Sequence, residues 1–190
     1  MDKKKLIVFS APSGGGKTTL VRYIVDRFNN TEFSISATSR DPRGKEIDGI
    51  DYYFLSKSEF KKNIEKGNFI EYEEVYGGLL YGTLKSEIDR IWGKNKIVVF
   101  DIDVVGGINI KEKFPDKTLS IFIMPPSIEV LKKRLIDRGD VSPEQIKIRI
   151  QKAKNEINFA SKFDSIIVNN DLNESKEIAF SLIKKFLKNE

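Results

Sequence analysis

The feature that constrains this chain most is a glycine-rich stretch set between a short apolar run and a segment with helical spacing. Residues 6–9, Leu-Ile-Val-Phe, predict a buried strand, and the stretch Ser10-Ala11-Pro12-Ser13-Gly14-Gly15-Gly16-Lys17-Thr18 follows directly. Apolar residues then recur as in an amphipathic helix, at Leu20, Val21, Ile24, Val25 and Phe28. A loop between a strand and a helix can turn its backbone N–H groups onto an anion at the positive end of the helix. The stretch therefore predicts a phosphate-binding loop.

The order of residues in this loop matches the P-loop pattern G-x-x-x-x-G-K-S/T, except that Ala11 replaces the first glycine. We expect Lys17 to reach the β- and γ-phosphate oxygens of a nucleoside triphosphate, and the Thr18 hydroxyl to hold Mg²⁺. The alternative is a glycine-rich turn followed by Lys-Thr by chance, which the flanking strand and helix disfavour.

A second apolar run, at residues 97–102, carries a carboxylate at Asp101. In P-loop proteins an acid at the end of such a strand organises Mg²⁺ and its water. The alternative role is a cap on the following helix. Because the loop and the acid occur together, we predict the Mg²⁺ role.

Apolar runs alternate with helical patterns along the chain, at residues 6–9, 97–102, 119–124 and 165–168. This alternation predicts an α/β fold with a parallel sheet core flanked by helices on both faces. Helices are predicted over residues 18–28, 84–92, 103–114, 127–137, from Pro143 onward, and over 174–187, and an additional strand over 33–37. Residues 38–83 interrupt this rhythm with one predicted helix at 58–66 and one strand at 69–75. They predict an insertion that carries substrate recognition.

Composition excludes several kinds of chemistry. The 190 residues contain no cysteine and no histidine, so thiolate nucleophiles, disulfides, Ser-His-Asp hydrolysis and metal sites built on Cys or His are excluded. The net charge of +5 favours anionic partners. No apolar run approaches the roughly 18 residues of a membrane span, so we expect a cytoplasmic protein without a membrane partner. Lys/Arg runs with interleaved aromatics are absent, so nucleic acid is not an expected partner either.

Five of the eight arginines fall in two groups, Arg40 with Arg43, and Arg134 with Arg138 and Arg149. Arg134 and Arg138 are four residues apart and share a helix face. Residues 138–143 predict a hinge, so the second group is expected to close as a lid over transferring phosphates. The first group predicts the second anion site that a kinase needs. The alternative for the second group is a solvated pair of basic helices.

A phosphate acceptor agrees with the absence of histidine. A nucleoside monophosphate has a second pKa of about 6, so at neutral pH it is largely ionised and needs no general base. It needs positive charge that holds two polyanions in line. We therefore predict an ATP-dependent nucleoside-monophosphate kinase.

Along nearly its whole length the chain resembles guanylate kinase of the bacterial and yeast enzyme type. The matching stretches are residues 10–18, 36–46, 51–54 (Asp-Tyr-Tyr-Phe), 69–71 (Phe-Ile-Glu), 81–83 (Tyr-Gly-Thr), 101–103 (Asp-Ile-Asp), 125–127 (Pro-Pro-Ser), 134–139 and 167–169. The resemblance implies the P-loop nucleoside-monophosphate kinase fold and the reaction MgATP + GMP giving ADP + GDP, in purine nucleotide metabolism and GMP recycling. It implies a single domain with a core at 1–35, 84–133 and 156–190, a GMP-binding insertion at 36–83 and a lid at 134–155.

The resemblance also implies roles for individual residues. The ATP site would contain Ala11, Pro12, Ser13, Gly14, Gly15, Gly16, Lys17, Thr18, Thr19, Arg134, Arg138 and Asn169, the last of these near adenine. The GMP site would contain Arg40, Arg43, Tyr52 and Tyr81 around the phosphate, Ser36, Glu71, Thr83 and Asp103 around guanine, and also Glu46 and Arg149. Catalysis would involve Lys17, Arg43, Arg134, Arg138 and Arg149, and Mg²⁺ would be held by Thr18 and, through water, by Asp101.

Two local departures from the family pattern stand out. Gly44 precedes Lys45, whereas the family usually has glycine directly before the glutamate that corresponds to Glu46. The segment at residues 77–80 is one residue longer than the common form. Two rival functions are a non-catalytic module that binds phosphopeptides, and a P-loop kinase for another acceptor. The retained Lys17 disfavours the first, and the guanine-reading set disfavours the second. The use of dGMP, and the choice between monomer and homodimer, stay open at this stage.

Overall fold

A computed structural model of the chain describes residues 4–138 and 142–188, with the side chains of Tyr76 and Arg138 outside the description. The described chain divides into two compact units. The first contains residues 6–29 and 99 onward, and the second contains residues 30–98 together with the segment just before residue 6. The predicted division into core, insertion and lid stays a prediction. The predicted hinge includes residues 139–141, which lie outside the described residues.

The strands are β1 (Leu6–Ser10), β2 (Thr31–Phe33), β3 (Ala37–Thr38), β4 (Tyr53–Phe54), β5 (Phe69–Val75), β6 (Leu79–Leu84), β7 (Ile97–Asp101), β8 (Thr118–Met124) and β9 (Ser165–Val168). The helices are α1 (Lys17–Arg27), α2 (Lys57–Glu65), α3 (Lys85–Gly93), α4 (Val104–Lys113), α5 (Ile128–Arg138), α6 (Pro143–Ile157) and α7 (Leu172–Lys188). No helix in these two ranges is both long and apolar enough to cross a membrane.

The first unit is built on a sheet with the strand order β7-β1-β8-β9. Strand β1 pairs in parallel with β8, and β8 pairs in parallel with β9. Residues 6–9 are fully buried, as are Val98, Val99 and Phe100, which is the pattern of strands covered on both faces. The predicted parallel sheet core is confirmed. Parallel strands have their carboxyl ends at the same edge of the sheet, so Asp101 at the end of β7 lies near the loop that leads from β1 to Lys17.

The second unit holds a four-stranded sheet with the order β4-β3-β6-β5. Its hydrophobic core contains Phe60 of α2 and Phe69 of β5, whose rings stack with centroids 4.4 Å apart. Helix α2 begins at a capping box, in which the Ser56 hydroxyl accepts from the Glu59 N–H and the Glu59 carboxylate accepts from the Ser56 N–H. These contacts give the second unit a sheet and a hydrophobic core of its own.

One prediction about this region was wrong, and two of its strands were missed. A single strand was predicted over residues 33–37, but the chain forms two short strands, β2 and β3, on either side of residues 34–36. Strands β4 and β6 were not predicted at all. Strand β6 forms a hairpin with β5 across the turn Tyr76–Gly78, where Gly77 and Gly78 have φ values of 71° and 73°. The extra residue in this segment is taken up by the turn.

Candidate active site

The phosphate-binding loop, residues 11–16, connects β1 to α1. The Gly15 N–H donates to the Pro12 carbonyl over 2.9 Å, which closes the loop on itself. Gly16 has φ of 90°, a left-handed conformation that glycine adopts readily, and the next residue, Lys17, is the first of α1. The first amides of a helix have no partner within the helix. The loop therefore leads directly into the positive end of α1, where the first amides of the helix are available to an anion.

Lys17, Thr18 and Asp101 meet at this end of α1. The Lys17 ammonium lies 2.8 Å from Asp101 Oδ1 and also donates to the carbonyl oxygen of Ile102. The Thr18 hydroxyl donates to Asp101 Oδ2 over 2.8 Å. The last residue of β7 thus contacts the first two residues of α1. This places an ammonium, a hydroxyl and a carboxylate around the mouth of one loop.

Asn169 and Arg134 lie on the other side of the loop. Asn169 Nδ2 donates to the carbonyl oxygen of Gly15 over 2.9 Å, and Arg134 Nη2 donates to the carbonyl oxygen of Asn169 over 2.8 Å. Arg134 Nη1 is buried and, among the described residues, has no hydrogen-bond partner. A buried guanidinium nitrogen without a partner carries a desolvation cost that a bound anion would remove.

The other two arginines of the predicted lid, Arg138 and Arg149, have fewer described contacts with the loop. Arg149 Nη1 of α6 lies 3.5 Å from the Ser13 hydroxyl of the loop. Arg138 ends α5, but its side chain lies outside the described residues.

The carboxyl group of Glu156, on α6, is 13% exposed and lies 3.5 Å from the Lys152 ammonium. Burial, assisted by the negative charge of Asp103, raises the pKa of the Glu156 carboxyl above its ordinary value, although Lys152 and Lys17 oppose the shift.

Asp103 belongs to the first unit, whereas the other predicted guanine contacts belong to the second. Its carboxylate caps α4, accepting from the Gly106 N–H over 2.9 Å. Its carbonyl accepts from the Ser10 hydroxyl over 2.9 Å. The helix-cap role that the sequence leaves open for Asp101 therefore falls to Asp103, two residues later.

In the second unit, Arg40 is held by a set of polar partners. Its Nη1 and Nη2 donate to the two carboxylate oxygens of Glu46 over 2.6 and 2.7 Å, and its Nε donates to the Tyr81 hydroxyl over 3.1 Å. The guanidinium carbon lies 4.8 Å from the centre of the Tyr52 ring. Arg40 is buried, and its pKa is raised above the ordinary range, chiefly by the bond with Glu46.

Glu46 also accepts from the backbone N–H of Arg43 over 2.7 Å. The bond from Arg40, reinforced by that N–H, lowers the pKa of Glu46 to about 2. The Glu46 N–H donates to the Arg43 carbonyl over 3.1 Å, so residues 43–46 form a tight turn with Gly44 at a φ of 59°. This turn accommodates the departure at Gly44. It brings Arg40, Glu46 and the backbone of Arg43 together, while the Arg43 side chain is exposed.

The hairpin register brings together the predicted guanine and phosphate contacts on β5 and β6. Glu71 pairs with Thr83, and Glu73 with Tyr81. Directly paired residues point to one face of a sheet, and residues two apart share that face. The Thr83 hydroxyl donates to Glu71 Oε1 over 2.7 Å. Ser36 precedes β3, and its carbonyl accepts from the Tyr53 N–H over 2.9 Å.

Sequence reasoning missed Glu87 of α3, which is 1% exposed. Its Oε1 accepts from the Ile35 N–H over 2.9 Å and its Oε2 accepts from the Tyr53 hydroxyl over 2.9 Å. Arg90 donates to both oxygens, over 2.7 and 3.0 Å. Glu87 therefore binds both Ile35 and Tyr53, the residues next to Ser36 and Tyr52 in the sequence. No signal in the sequence distinguishes it from the other charged residues of its helix.

The chain was compared with known proteins. The family model described as guanylate kinase matches residues 3–188. The guanylate kinase of Porphyromonas gingivalis is 53% identical over 184 residues, which are 96% of this chain and 98% of the relative. The guanylate kinase of Bacteroides thetaiotaomicron is 52% identical over 186 residues, 98% of this chain and 91% of the relative.

Solved structures agree with the sequence matches. The crystal structure of guanylate kinase from Anaplasma phagocytophilum aligns with a TM-score of 0.75 and 30% sequence identity, covering 97% of this chain and 87% of that one. The family model thus covers both groups of site residues. One is the loop with Lys17, Thr18 and Asp101, and the other is the separate cluster of arginine and carboxylate side chains. The chain belongs to the guanylate kinase family.

Proposed function

We propose that this chain transfers the γ-phosphoryl group of ATP to GMP, giving ADP and GDP. The observation that carries the acceptor assignment is the buried pair of Glu71 and Thr83. Guanine presents two adjacent donors, N1–H and the N2 amino group, and a carboxylate presents two acceptors. Thr83 donates to one Glu71 oxygen and so restrains the carboxylate. Adenine has an acceptor at N1, so its edge would meet Glu71 with a lone pair.

The donor phosphates would be held in the first unit. The amides of Gly14 and Gly16 and the Lys17 ammonium would bind the β- and γ-phosphates. Arg134 Nη1, which is buried and unpartnered within the described ranges, would donate to a phosphate oxygen. Arg149, beside Ser13, would add positive charge where negative charge builds up during transfer. Arg138 keeps its predicted lid role.

The residues at the loop fit Mg²⁺. The Thr18 hydroxyl and the Asp101 carboxylate are hard oxygen donors that lie 2.8 Å apart. Among the residues that the structure describes, no three His, Cys, Asp or Glu side chains are grouped so that they could hold a metal. This agrees with an ion bound by one carboxylate, water and substrate phosphates, as Mg²⁺ usually is. When bound, Mg²⁺ would neutralise charge on the β- and γ-phosphates.

The acceptor phosphate would bind in the second unit, at Arg40, Arg43, Tyr52 and Tyr81. A guanidinium has five N–H groups, and Arg40 uses four of them on Glu46, Tyr81 and the Asp41 carbonyl. Arg40 would therefore act as a fixed positive charge with one free donor. The exposed Arg43 would supply a second guanidinium, and the two phenols would donate their hydroxyl hydrogens.

Direct transfer needs no general base from the protein. An oxygen of the GMP phosphate, already ionised near neutral pH, forms the new bond to the γ-phosphorus, and the bond to the oxygen bridging the β- and γ-phosphates breaks. The protein supplies alignment and positive charge. We place this reaction in purine nucleotide metabolism and in the cytoplasm.

The function is tested by the release of ADP, measured in a coupled assay with MgATP and each of AMP, CMP, GMP and UMP. We expect turnover with GMP to exceed that with the other three by at least ~10²-fold, because a site built for one hydrogen-bonding edge leaves buried groups unpaired with another. If turnover is fastest with a different monophosphate, that monophosphate and not GMP is the acceptor. Absence of turnover with all four would reject the kinase assignment.

A further inference from the structure

The side chain of Asn169 points to the phosphate-binding loop, although the resemblance places this residue near adenine. Asn169 is 4% exposed, and its Nδ2 donates to the Gly15 carbonyl over 2.9 Å. Its backbone N–H donates to the Met124 carbonyl over 2.8 Å, at the end of β8. The residue is therefore held by the sheet, and its amide nitrogen is committed to the loop backbone.

This hydrogen bond determines the orientation of the peptide between Gly15 and Gly16. A trans peptide is planar, and its C=O and N–H groups point in opposite directions. Because the Gly15 carbonyl points to Asn169, the Gly16 N–H points away from Asn169. Gly16 directly precedes α1, so this N–H is one of those that a P-loop directs at phosphate.

The bond from the Gly15 N–H to the Pro12 carbonyl restrains the N-terminal side of Gly15, and Asn169 restrains the peptide that follows. Gly14, Gly15 and Gly16 are consecutive, and glycine adopts positive and negative φ with similar ease. A Cβ atom added to Gly16 would lie only 2.3 Å from Asn169 Nδ2. Asn169 is therefore in close contact with Gly16 while it bonds to Gly15, and it restricts the peptide by contact and by hydrogen bond.

Asn169 also orients a guanidinium. Its carbonyl accepts from Arg134 Nη2 over 2.8 Å, which leaves Arg134 Nη1 as the buried nitrogen that lacks a partner among the described residues. One residue thus contacts both the loop peptide and the arginine to which we assign a phosphate oxygen. Both contacts concern the phosphates, and neither concerns a base.

We propose that Asn169 is a positioning residue for the triphosphate, which fixes the Gly15–Gly16 peptide and orients Arg134, and that this role does not require a base on the ligand. The inference rests on the proposed function only in that the loop binds a triphosphate. It does not depend on GMP being the acceptor.

The test compares a ligand with a base and one without. Binding of ATP and of inorganic tripolyphosphate, both with Mg²⁺, is measured by isothermal titration calorimetry for the wild type, Asn169→Ala, Asn169→Asp and the control Asn170→Ala. Asn170 is the exposed neighbour of Asn169. We expect both ligands to bind roughly tenfold more weakly to the Asn169 variants, as for loss of one buried hydrogen bond, and unchanged binding to the control.

Two results would overturn the proposal: weaker binding of ATP with unchanged binding of tripolyphosphate, or unchanged binding of both. Asn169→Asp keeps the size of the side chain, so it serves if Asn169→Ala does not fold. If neither variant folds, NMR of the wild type labelled with ¹⁵N-asparagine tests the proposal. The side-chain amide signal of Asn169 should shift equally with tripolyphosphate and ATP, and a shift that requires the base would overturn the proposal. No sample contains GMP. The binding measurements can therefore be interpreted even if the assay with four monophosphates rejects GMP as the acceptor.

Discussion

The hydroxyl of Thr83 donates to Oε1 of Glu71 over 2.7 Å, across the hairpin of β5 and β6, and both side chains are buried. A hydroxyl that donates to one carboxylate oxygen restrains the carboxylate. A carboxylate oxygen has more than one lone pair, so an oxygen that accepts from Thr83 can also accept from a ligand. A ligand with two adjacent N–H groups matches this arrangement.

Glu71→Gln tests this arrangement. The amide has the same shape, but it replaces one acceptor with an NH₂ donor, which must face either Thr83 or the donors of guanine. We expect kcat/KM for GMP to fall by ~10²-fold or more, while KM for ATP stays the same. Steady-state kinetics with each substrate varied in turn measures both.

The matched control for this substitution is Glu74→Gln, which makes the same change on the same strand at an exposed position. Since residues 71 and 74 point to opposite faces of the sheet, the control should behave as the wild type. Unchanged GMP kinetics in Glu71→Gln would mean that guanine is read elsewhere.

Lys17→Ala removes the ammonium beside Asp101. The charge that balances the β- and γ-phosphates is then lost, so kcat should fall by at least ~10²-fold, with far-ultraviolet circular dichroism unchanged. Lys61→Ala, an exposed change on α2, should keep full activity. Near-normal turnover in Lys17→Ala would remove the phosphate-binding loop from the mechanism.

Periodicity and strand ends were sufficient to predict the parallel sheet core. A continuous apolar run such as residues 6–9, followed by a glycine-rich stretch, is typical of a strand in a sheet covered on both faces. Once β1 and β7 are neighbours, the residues that follow them meet at one sheet edge. The convergence of Lys17, Thr18 and Asp101 could therefore be predicted without a structure.

The second unit was less predictable because its strands depend on their partners. Strand β6 contains Gly82, a residue that disfavours strands. A Cβ at this position would lie 2.7 Å from the Glu71 carbonyl, so only glycine allows the close approach of the two strands. Strand β6 therefore depends on its contact with β5, and no local sequence pattern predicts it. The same applies to Glu87, whose partners Ile35 and Tyr53 are 52 and 34 residues away in the sequence.

Glu87→Gln should lower stability and acceptor binding together. Although burial alone raises its pKa, hydrogen bonds from Arg90, the Ile35 N–H and the Tyr53 hydroxyl hold the pKa of Glu87 below its ordinary value. A glutamine would turn an NH₂ group toward one of these donors and leave Arg90 without its buried partner. We expect a loss of about 2–4 kcal/mol in the free energy of unfolding.

We also expect KM for GMP to rise in Glu87→Gln while KM for ATP stays constant, because residues 35 and 53 flank Ser36 and Tyr52. Urea unfolding and steady-state kinetics measure the two effects. Asp89→Asn, an exposed change on the same helix, is the control for both. Loss of stability without any change in GMP kinetics would restrict Glu87 to a structural role.

Glu156 predicts a specific dependence of stability on pH. Its folded pKa is raised above the ordinary value of 4.5, mainly by burial. A raised pKa means that the folded chain binds the proton more tightly than the unfolded chain does. The stabilisation is therefore complete below pH 4.5 and is lost as pH rises through the folded pKa. Glu156→Gln cannot titrate, so its Tm relative to the wild type should increase as pH is raised from 4.5 to neutrality.

Glu144, at the start of the same helix, gives a control of opposite sign. Its own backbone N–H and the Ser142 hydroxyl lower its pKa below 4.5. That stabilisation is present above pH 4.5 and is lost as pH falls through the lowered folded value. Glu144→Gln should therefore have a lower Tm than the wild type near neutrality, and the difference should shrink in acid. Thermal unfolding of the three proteins across this range measures both slopes. If the two variants deviate from the wild type in the same direction near neutral pH, burial does not control the titration of Glu156.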